Sequence, residues 1–318
     1  MPQEIGHSGG PLCHKESVMA NKRTILVQGL SLNAVNVGGL ASLGFSGAFK
    51  TVPGRADGAL GIQEVSRHGQ SVDFNMSCAD VTNVNALLAA VKADTTFYVK
   101  ESGLATWHKY ILPNTTAWIV LNRMSLLLSG SADGQLDLSG KVSFVDGSKT
   151  LADALTLTDA FETDPTIVHP IRLGYPNAVS FNPGSTIAPL HTQKVSLTLT
   201  RPVKESTGDN DISEVVDALE WDLLDVNWTF VDASETNGSH IAASLLAASY
   251  GFMTVPCVQL GGQTPAKTLT VNNVLWTGME QREGKDHTEF TMKGQAGWRS
   301  AAGVDYKMNA ATKLFGFA

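Results

Sequence analysis

Cysteine is scarce in this chain, long apolar runs are missing, and positive charge is in deficit. Each absence removes a class of protein. Three cysteines in 318 residues, Cys13, Cys78 and Cys257, cannot all pair within one chain. Without a CxxC spacing they point neither to a disulfide framework nor to a zinc ribbon. Cys78 falls in an alternating apolar stretch and is expected as a small core residue. No run of about 18 apolar residues occurs, so no membrane-spanning helix is expected. The first residues also lack the basic-then-apolar order of a signal peptide, which gives the expectation of a protein made in the cytoplasm. Lys and Arg number 23 against 30 Asp and Glu, a net charge of −7 with a pI near 5.6. A protein that grips nucleic acid by its phosphates needs the opposite balance.

Signatures of chemistry are also missing. The eight histidines, His7, His14, His68, His108, His169, His191, His240 and His287, are scattered along the chain and form no i, i+4 pair, so no metal site is expected. There is no phosphate loop and no GxGxxG after a strand. Gly6-His7-Ser8-Gly9-Gly10 fits the G-x-S-x-G elbow in letters, but an elbow needs a preceding strand to aim its serine, and only five residues precede this one. Asp209, Asp211, Glu214 and Asp217 are the densest acidic group; they lack the glycine and the terminal glutamate of an EF-hand and read as a solvated acidic loop or a helix start. Four Asn-x-Ser/Thr sequons, at Asn75, Asn114, Asn227 and Asn237, carry no weight without a secretion signal. The six tryptophans, Trp107, Trp118, Trp221, Trp228, Trp276 and Trp298, raise a sugar-binding reading. The expectation is therefore a non-enzyme with no catalytic, cofactor-binding or metal residues and no cofactor.

What the chain does contain is an echo. Val72-Asp73-Phe74-Asn75-Met76-Ser77 alternates apolar and polar residues, and Leu224-Asp225-Val226-Asn227-Trp228-Thr229 repeats the pattern 152 residues later. Period-2 alternation puts one set of side chains on a buried face and the other in water. Each copy continues through Asp80 or Asp232 and a polar turn to a short run ending Leu-Leu-Ala-Ala, read as a short helix. Ile119-Val120-Leu121-Asn122 is laid over Leu269-Thr270-Val271-Asn272, an offset of 150, and Gly140 with its neighbours over Gly294, an offset of 154. Trp228 and Trp298 then match Met76 and Phe144, which makes them core residues. A near-constant offset over three separated blocks predicts one fold occurring twice.

The predicted class is mainly β: two tandem β-sandwich or half-barrel domains, each with a short flanking helix. Boundaries are set at an N-terminal arm (1–24), a first β domain (25–145), a linker (146–176), a second β domain (177–300) and a C-terminal arm (301–318). Met19-Ala20-Asn21-Lys22 looks like a translation start, so residues 1–18 read as an optional extension. The glycine-rich stretch 38–61 reads as a long loop, mobile or ordered by a partner, and Leu314-Phe315-Gly316-Phe317 as a tail that docks onto a neighbouring subunit.

With these blocks in place, at 72–90 and 119–144 and their echoes at 224–248 and 269–298, the chain resembles the tail tube proteins of long-tailed bacteriophages. The resemblance covers residues 25–300 and carries no invariant ligand signature. It implies a structural virion protein of the phage tail, with a homotrimer of doubled subunits forming a pseudo-hexameric ring. It further implies ring-on-ring stacking, tape-measure, tail terminator and baseplate proteins as partners, and double-stranded DNA as transient cargo in the lumen. A baseplate hub or distal tail protein is the nearest alternative, and a cytosolic carbohydrate-binding β-sandwich module the alternative from another class. If the repeated strand lines a channel, Asp73 and Asn75 with Asp225 and Asn227 are the candidates for its polar face. That face is expected to be acidic, because a negative lining lets DNA slide.

Overall fold

Alternation becomes sheet wherever one face can be buried. The computed structural model describes residues 25–32, 34–54, 64–89, 92–101, 107–159, 171–173, 180–182, 191–208, 211–231, 245, 250–259, 265–283, 288–297, 299–300, 303–304 and 314–318, and the statements below concern those residues. In the first echo Val72, Phe74, Met76 and Cys78 are at most 2% exposed while Asp73 and Asn75 face solvent; in the second Leu224, Val226, Trp228 and Phe230 are fully buried while Asp225 is exposed. Burying a large apolar side chain contributes about 1.5–3 kcal/mol, so a one-residue slip of either strand would forfeit several such terms.

The first half contains β1 (Ile25–Leu32), β2 (Val35–Val37), β3 (Leu40–Gly54), β4 (Glu64–Cys78), a 3-10 turn (Val81–Asn83), helix α1 (Val84–Ala89), β5 (Thr95–Glu101) and β6 (Trp107–Leu112). It continues with β7 (Ala117–Ser129), β8 (Gln135–Phe144), helix α2 (Leu151–Ala154) and β9 (Thr156–Asp159). The second half contains β10 (Ile171–Leu173), β11 (Ser180–Asn182), β12 (Thr192–Thr200), β13 (Val203–Ser206), β14 (Val215–Ala218) and β15 (Leu224–Val231). It ends with β16 (Gly251–Gln259), β17 (Pro265–Glu283), β18 (Thr288–Ala296), β19 (Arg299–Ser300), β20 (Gly303–Val304) and β21 (Phe315–Phe317). The protein is mainly β, with large antiparallel sheets and no barrel closure.

One sheet runs through both halves in the order β3-β4-β8-β7-β12-β15-β18-β17 and continues into β16 and β10. Within it the first half contributes β3-β4-β8-β7 and the second β12-β15-β18-β17, the same order twice. The outer layers also correspond. In the first half β1, β5, β6 and β9 pair in that order; in the second, β10 and β11 pair with β16, β16 with the front of β17, and that with β21. β17 serves both layers because the chain turns at Asn273, whose φ of 54° lies in the left-handed region that Asn tolerates. The first half makes the same change of layer through a turn between β6 and β7, where Thr116 and Ala117 donate to the Pro113 carbonyl.

The layers meet over a continuous core. In the first half the Phe45 ring lies tilted 5.5 Å from Phe74 and 5.8 Å from Phe97; in the second Trp228 lies 4.6 Å from Phe230 and 6.0 Å from Trp276. The strand-to-helix turn after β4 is organised by buried Asp80, which accepts from the Gly38 amide (3.1 Å) and from Asn83 Nδ2 (2.9 Å). Helix α1 buries Val84, Leu87 and Leu88. The matching turn and helix after β15 lie outside the described residues apart from Leu245.

Three expectations need correction. The stretch 38–61 is not a loop through most of its length: 40–54 is strand β3, paired along β4. Its glycines suit the pairing, because a Cβ at Gly44 would stand 2.7 Å from Asn75 Oδ1. The stretch 146–176, read as a linker, contains α2 and β9, and β9 extends the outer sheet of the first half against β6. The C-terminal residues dock on their own chain: Leu314 and Phe315 are buried, β21 pairs with β17, and Asn85 of α1 donates to the Phe315 carbonyl. The N-terminal arm, Cys13 and Ser8 lie outside the described residues.

Candidate functional site: a polar sheet face between two open edges

The two halves correspond residue by residue once their ladders are laid side by side. Asn75 faces Ser139 on β8 as Asn227 faces Lys293 on β18, which fixes offsets of 152 for the first strand and 154 for the second. Leu121 faces Gly140 as Trp276 faces Gly294, an offset of 155 for β7 and β17. The block Ile119 to Asn122 therefore lies over Val274 to Thr277, not over Leu269 to Asn272. Irregularities repeat too. β3 and β12 each shift register by one residue, around Ala41 and Gln193, and β7 and β17 around Asn122 and Thr277. Bulges tied to a position are built features, since each bends the strand and re-aims the side chains beyond it. Opposite the second bulge both halves carry glycine. A Cβ on Gly140 would stand 2.4 Å from the Val120 carbonyl oxygen, and one on Gly294 3.1 Å from that of Leu275.

A seam joins the halves. The last strand of the first, β7, pairs with the first strand of the second, β12, from Lys194 opposite Ser129 to Thr200 opposite Arg123. The arrangement is head to tail, and among the described residues it leaves the two complementary edges unpaired. One is the outer edge of β3. The other is the outer edge of residues 278–283 of β17, which bond only to β18 on their inner side. An exposed edge normally carries charge or proline as protection against pairing. Residues 40–49, LASLGFSGAF, carry neither.

The same face of all eight strands is polar. Asp73 and Asn75 occupy it in the first half and Asp225 and Asn227 in the second, so the structure brings the four sequence candidates onto one surface. Its charges balance. Asp73, Asp137, Asp225, Glu280 and Glu289 stand against Arg123, Lys141, Lys194, Arg282 and Lys293. Two pairs are direct, Lys141 with Asp73 at 2.9 Å and Lys293 with Glu280, and the Gln295 Nε2 amide donates to Asp225 at 3.0 Å. The acidic surplus of the chain is therefore not concentrated here, which corrects the expected acidic face. Ser42, Asn75, Ser77, Arg123, Ser125 and Asp137 line a shallow depression of about 380 Å³ on it. No aromatic ring lines that depression.

At one end of the face a two-stranded arm, β13 and β14 with the turn between them, reaches from the second half over the first. Ile212 and Ser213 amides donate to the Gly147 carbonyl at 2.6 and 2.8 Å, the Glu214 amide to Gln70 at 3.1 Å, and the Val216 amide to Ser143 Oγ at 3.0 Å. Five side chains cross-link the contact. Lys141 reaches Glu205 at 2.6 Å, Ser71 donates to Glu205 at 2.8 Å, and Lys50 pairs with Glu214. Burial alone would raise the Glu205 carboxyl, but hydrogen bonds from Lys141 and Ser71 outweigh it and hold the group down at about 2. Burial likewise opposes the charge on Lys141, and its bonds to Glu205 and Asp73 still lift its pKa above the ordinary value. Glu214, expected in a solvated acidic loop, is 1% exposed. Asp211 accepts from the Gly208 amide at 2.6 Å and closes the arm's turn.

The other candidates are placed as follows. Cys78 and Cys257 are buried and unpaired, and burial pushes both thiols up to about 12. Among the described residues no group of three or more His, Cys, Asp or Glu could hold a metal ion, and no helix is long and apolar enough to cross a membrane. Trp228 and Trp276 are core residues, while Lys92 lies 4.5 Å over the Trp118 ring and the Arg201 guanidinium 5.2 Å over that of Trp221. No family model matches the chain, and no curated protein matches it in sequence.

Proposed function

We propose that this chain is a structural subunit that assembles head to tail with copies of itself into a ring, in the manner of a phage tail tube protein. The observation that carries it is the seam. One chain already contains the joint between two repeats, and it ends on both sides in the open halves of that same joint. Transferring the seam by the offsets of 152 and 155 puts β3 of one copy against β17 of the next: Leu43 opposite Glu283, Phe45 opposite Gln281, Ser46 opposite Glu280, and Ala48 opposite Gly278. A heterologous joint of this kind makes a ring when its rotation closes and a filament when it does not. Three doubled chains give the pseudo-sixfold ring that the resemblance implies, and stacked rings give a tube.

The polar face then lines the channel, and its balanced charges suit DNA as passing cargo. A lining that neutralised about six phosphates would hold the duplex with an affinity that changes about a thousandfold over ordinary salt ranges, and it would act as a brake. Here the five cations on the face are balanced in number by five anions. A carbohydrate-binding module is less well supported: sugars are held by stacking on exposed aromatic faces, whereas Trp228 and Trp276 are buried and Trp118 and Trp221 lie under cations. Electron microscopy of the purified protein in negative stain tests the proposal. Rings or tubes with a central hole are expected; monodisperse single chains at high concentration would overturn it.

A further inference from the structure

The arm that clasps the first half has a counterpart that, among the described residues, crosses no neighbouring sheet face. β13 and β14 form the connection between the first two strands of the second inner sheet, and in the first half the corresponding connection is the far end of the β3–β4 hairpin, residues 50–54 and 64–68. The second-half arm buries one of its three valines: Val216 is 4% exposed, and its amide donates to Ser143 Oγ, while Val203 and Val215 are half-buried. On the corresponding strand of the first-half arm Val65 is 63% exposed. The receiving surface is doubled as well. Ser71, Asp73, Lys141 and Ser143 receive the clasp in the first half; their counterparts by offset are Leu223, Asp225, Gln295 and Gly297. That patch has no arm over it among the described residues, and Leu223 is 49% exposed there.

We infer that the β3–β4 arm of one copy seats on the Leu223, Asp225 and Gln295 patch of the next copy, repeating between chains the clasp that β13 and β14 make within one. This inference rests on the head-to-tail reading above and adds a second, separate contact to it. Direction agrees. The second-half arm leans across the seam onto β8 and β4 of the half whose β7 it adjoins, so the first-half arm leans onto β18 and β15 of the copy whose β17 adjoins β3. Charge agrees as well. The acidic arm, with Glu205 and Glu214, meets Lys50 and Lys141; where the second half has Gln295 in the place of Lys141 and keeps Asp225, the arriving strand carries Arg67 and His68. Apolar Val65 and Leu223, each exposed in the single chain, become each other's cover.

Hydrogen exchange measured on the protein when dilute and when concentrated separates this clasp from the edge pairing. With assembly, amides at 64–68 and 222–225 should exchange about tenfold more slowly or better, alongside those at 43–48 and 278–283. Leu223→Asp should remove the protection at 64–68 while the fold, read by circular dichroism, stays intact. Protection of 43–48 and 278–283 with none at 64–68 and 222–225 would overturn the clasp and leave the ring standing. An absence of concentration-dependent protection at all four segments would overturn both.

Discussion

Gly140 offers the sharpest test of the inner-sheet geometry. Replacement by alanine adds one methyl group, which would stand 2.4 Å from the Val120 carbonyl oxygen and 3.0 Å from the Leu121 Cα. Both atoms are backbone of the neighbouring strand at its bulge, so no rotamer change relieves the contact and β7 must move away from β8. Overpacking that forces backbone shifts costs about 1–3 kcal/mol, and the upper end applies here because the obstacle is a carbonyl in the ladder. For a fold of this size about 3 kcal/mol corresponds to a fall in Tm of about 6–12 °C. Gly294→Ala at the matching place meets Trp276 Cε3 at 2.9 Å and the Leu275 oxygen at 3.1 Å. A ring edge can give, so the loss there should be smaller, about 1 kcal/mol. Gly130, with nothing within 4 Å, is the control, and alanine there should be neutral or stabilising by about 0.4–1 kcal/mol through the unfolded chain. Thermal unfolding followed by circular dichroism ranks the three. Equal effects at all three positions, or tolerance at Gly140, would refute the doubled bulge-and-glycine geometry.

Removing residues 314–318 takes Phe315 out of the core and should cost about 3–5 kcal/mol of stability, measured by denaturant titration; an unchanged midpoint would mean the tail is not packed there. Trp228→Ala should cost about 3–5 kcal/mol and disorder the Phe230 and Trp276 pair, readable as lost near-ultraviolet dichroism. Glu205 titrates at about 2 in the fold against an ordinary 4.5, so its contribution is present above pH 4.5 and is lost as pH falls toward 2. Wild type should therefore lose clasp protection at 203–218 across that window in hydrogen exchange, and Glu205→Gln should show a weaker dependence. Cys78 and Cys257, with thiols raised to about 12, should resist alkylation at pH 8 until the chain unfolds, as read by peptide mass spectrometry.

The repeat was legible because strands with one wet face write their register into the sequence. Asp73 and Asn75 against Asp225 and Asn227 gave the offset of 152, and the glycines at 140 and 294 gave 154, both as the ladders have them. The third block was laid five residues out of place. A period-2 pattern matches itself at several shifts, and Asn272 stood in for the true counterpart of Asn122, which is Thr277 at the bulge. Glycine misled at 38–61, where Gly44 and Gly47 are small because Asn75 and Gln70 side chains lie over them, not because the chain turns. Glu214 was unreadable for a different reason. Its partner Lys50 is 164 residues away, and only the pairing of β7 with β12 brings the arm onto the first half. That seam has no local signature, since the residues along both strands are ordinary strand residues. The open edges follow from it and were equally hidden.

Covalent trapping of the joint between copies tests the central claim most directly. With Cys13, Cys78 and Cys257 replaced by serine or alanine, Ser46→Cys and Glu280→Cys are introduced together; their counterparts across the internal seam, Thr198 and Ser125, are directly opposed. Oxidation of the assembled protein should give disulfides between chains in high yield, ending in a closed species with the mass of three chains. Pairing Ser46→Cys with Arg282→Cys instead, two residues out of register, should link poorly. Failure to link chains through the first pair, or equal linking through both, would contradict the head-to-tail ring.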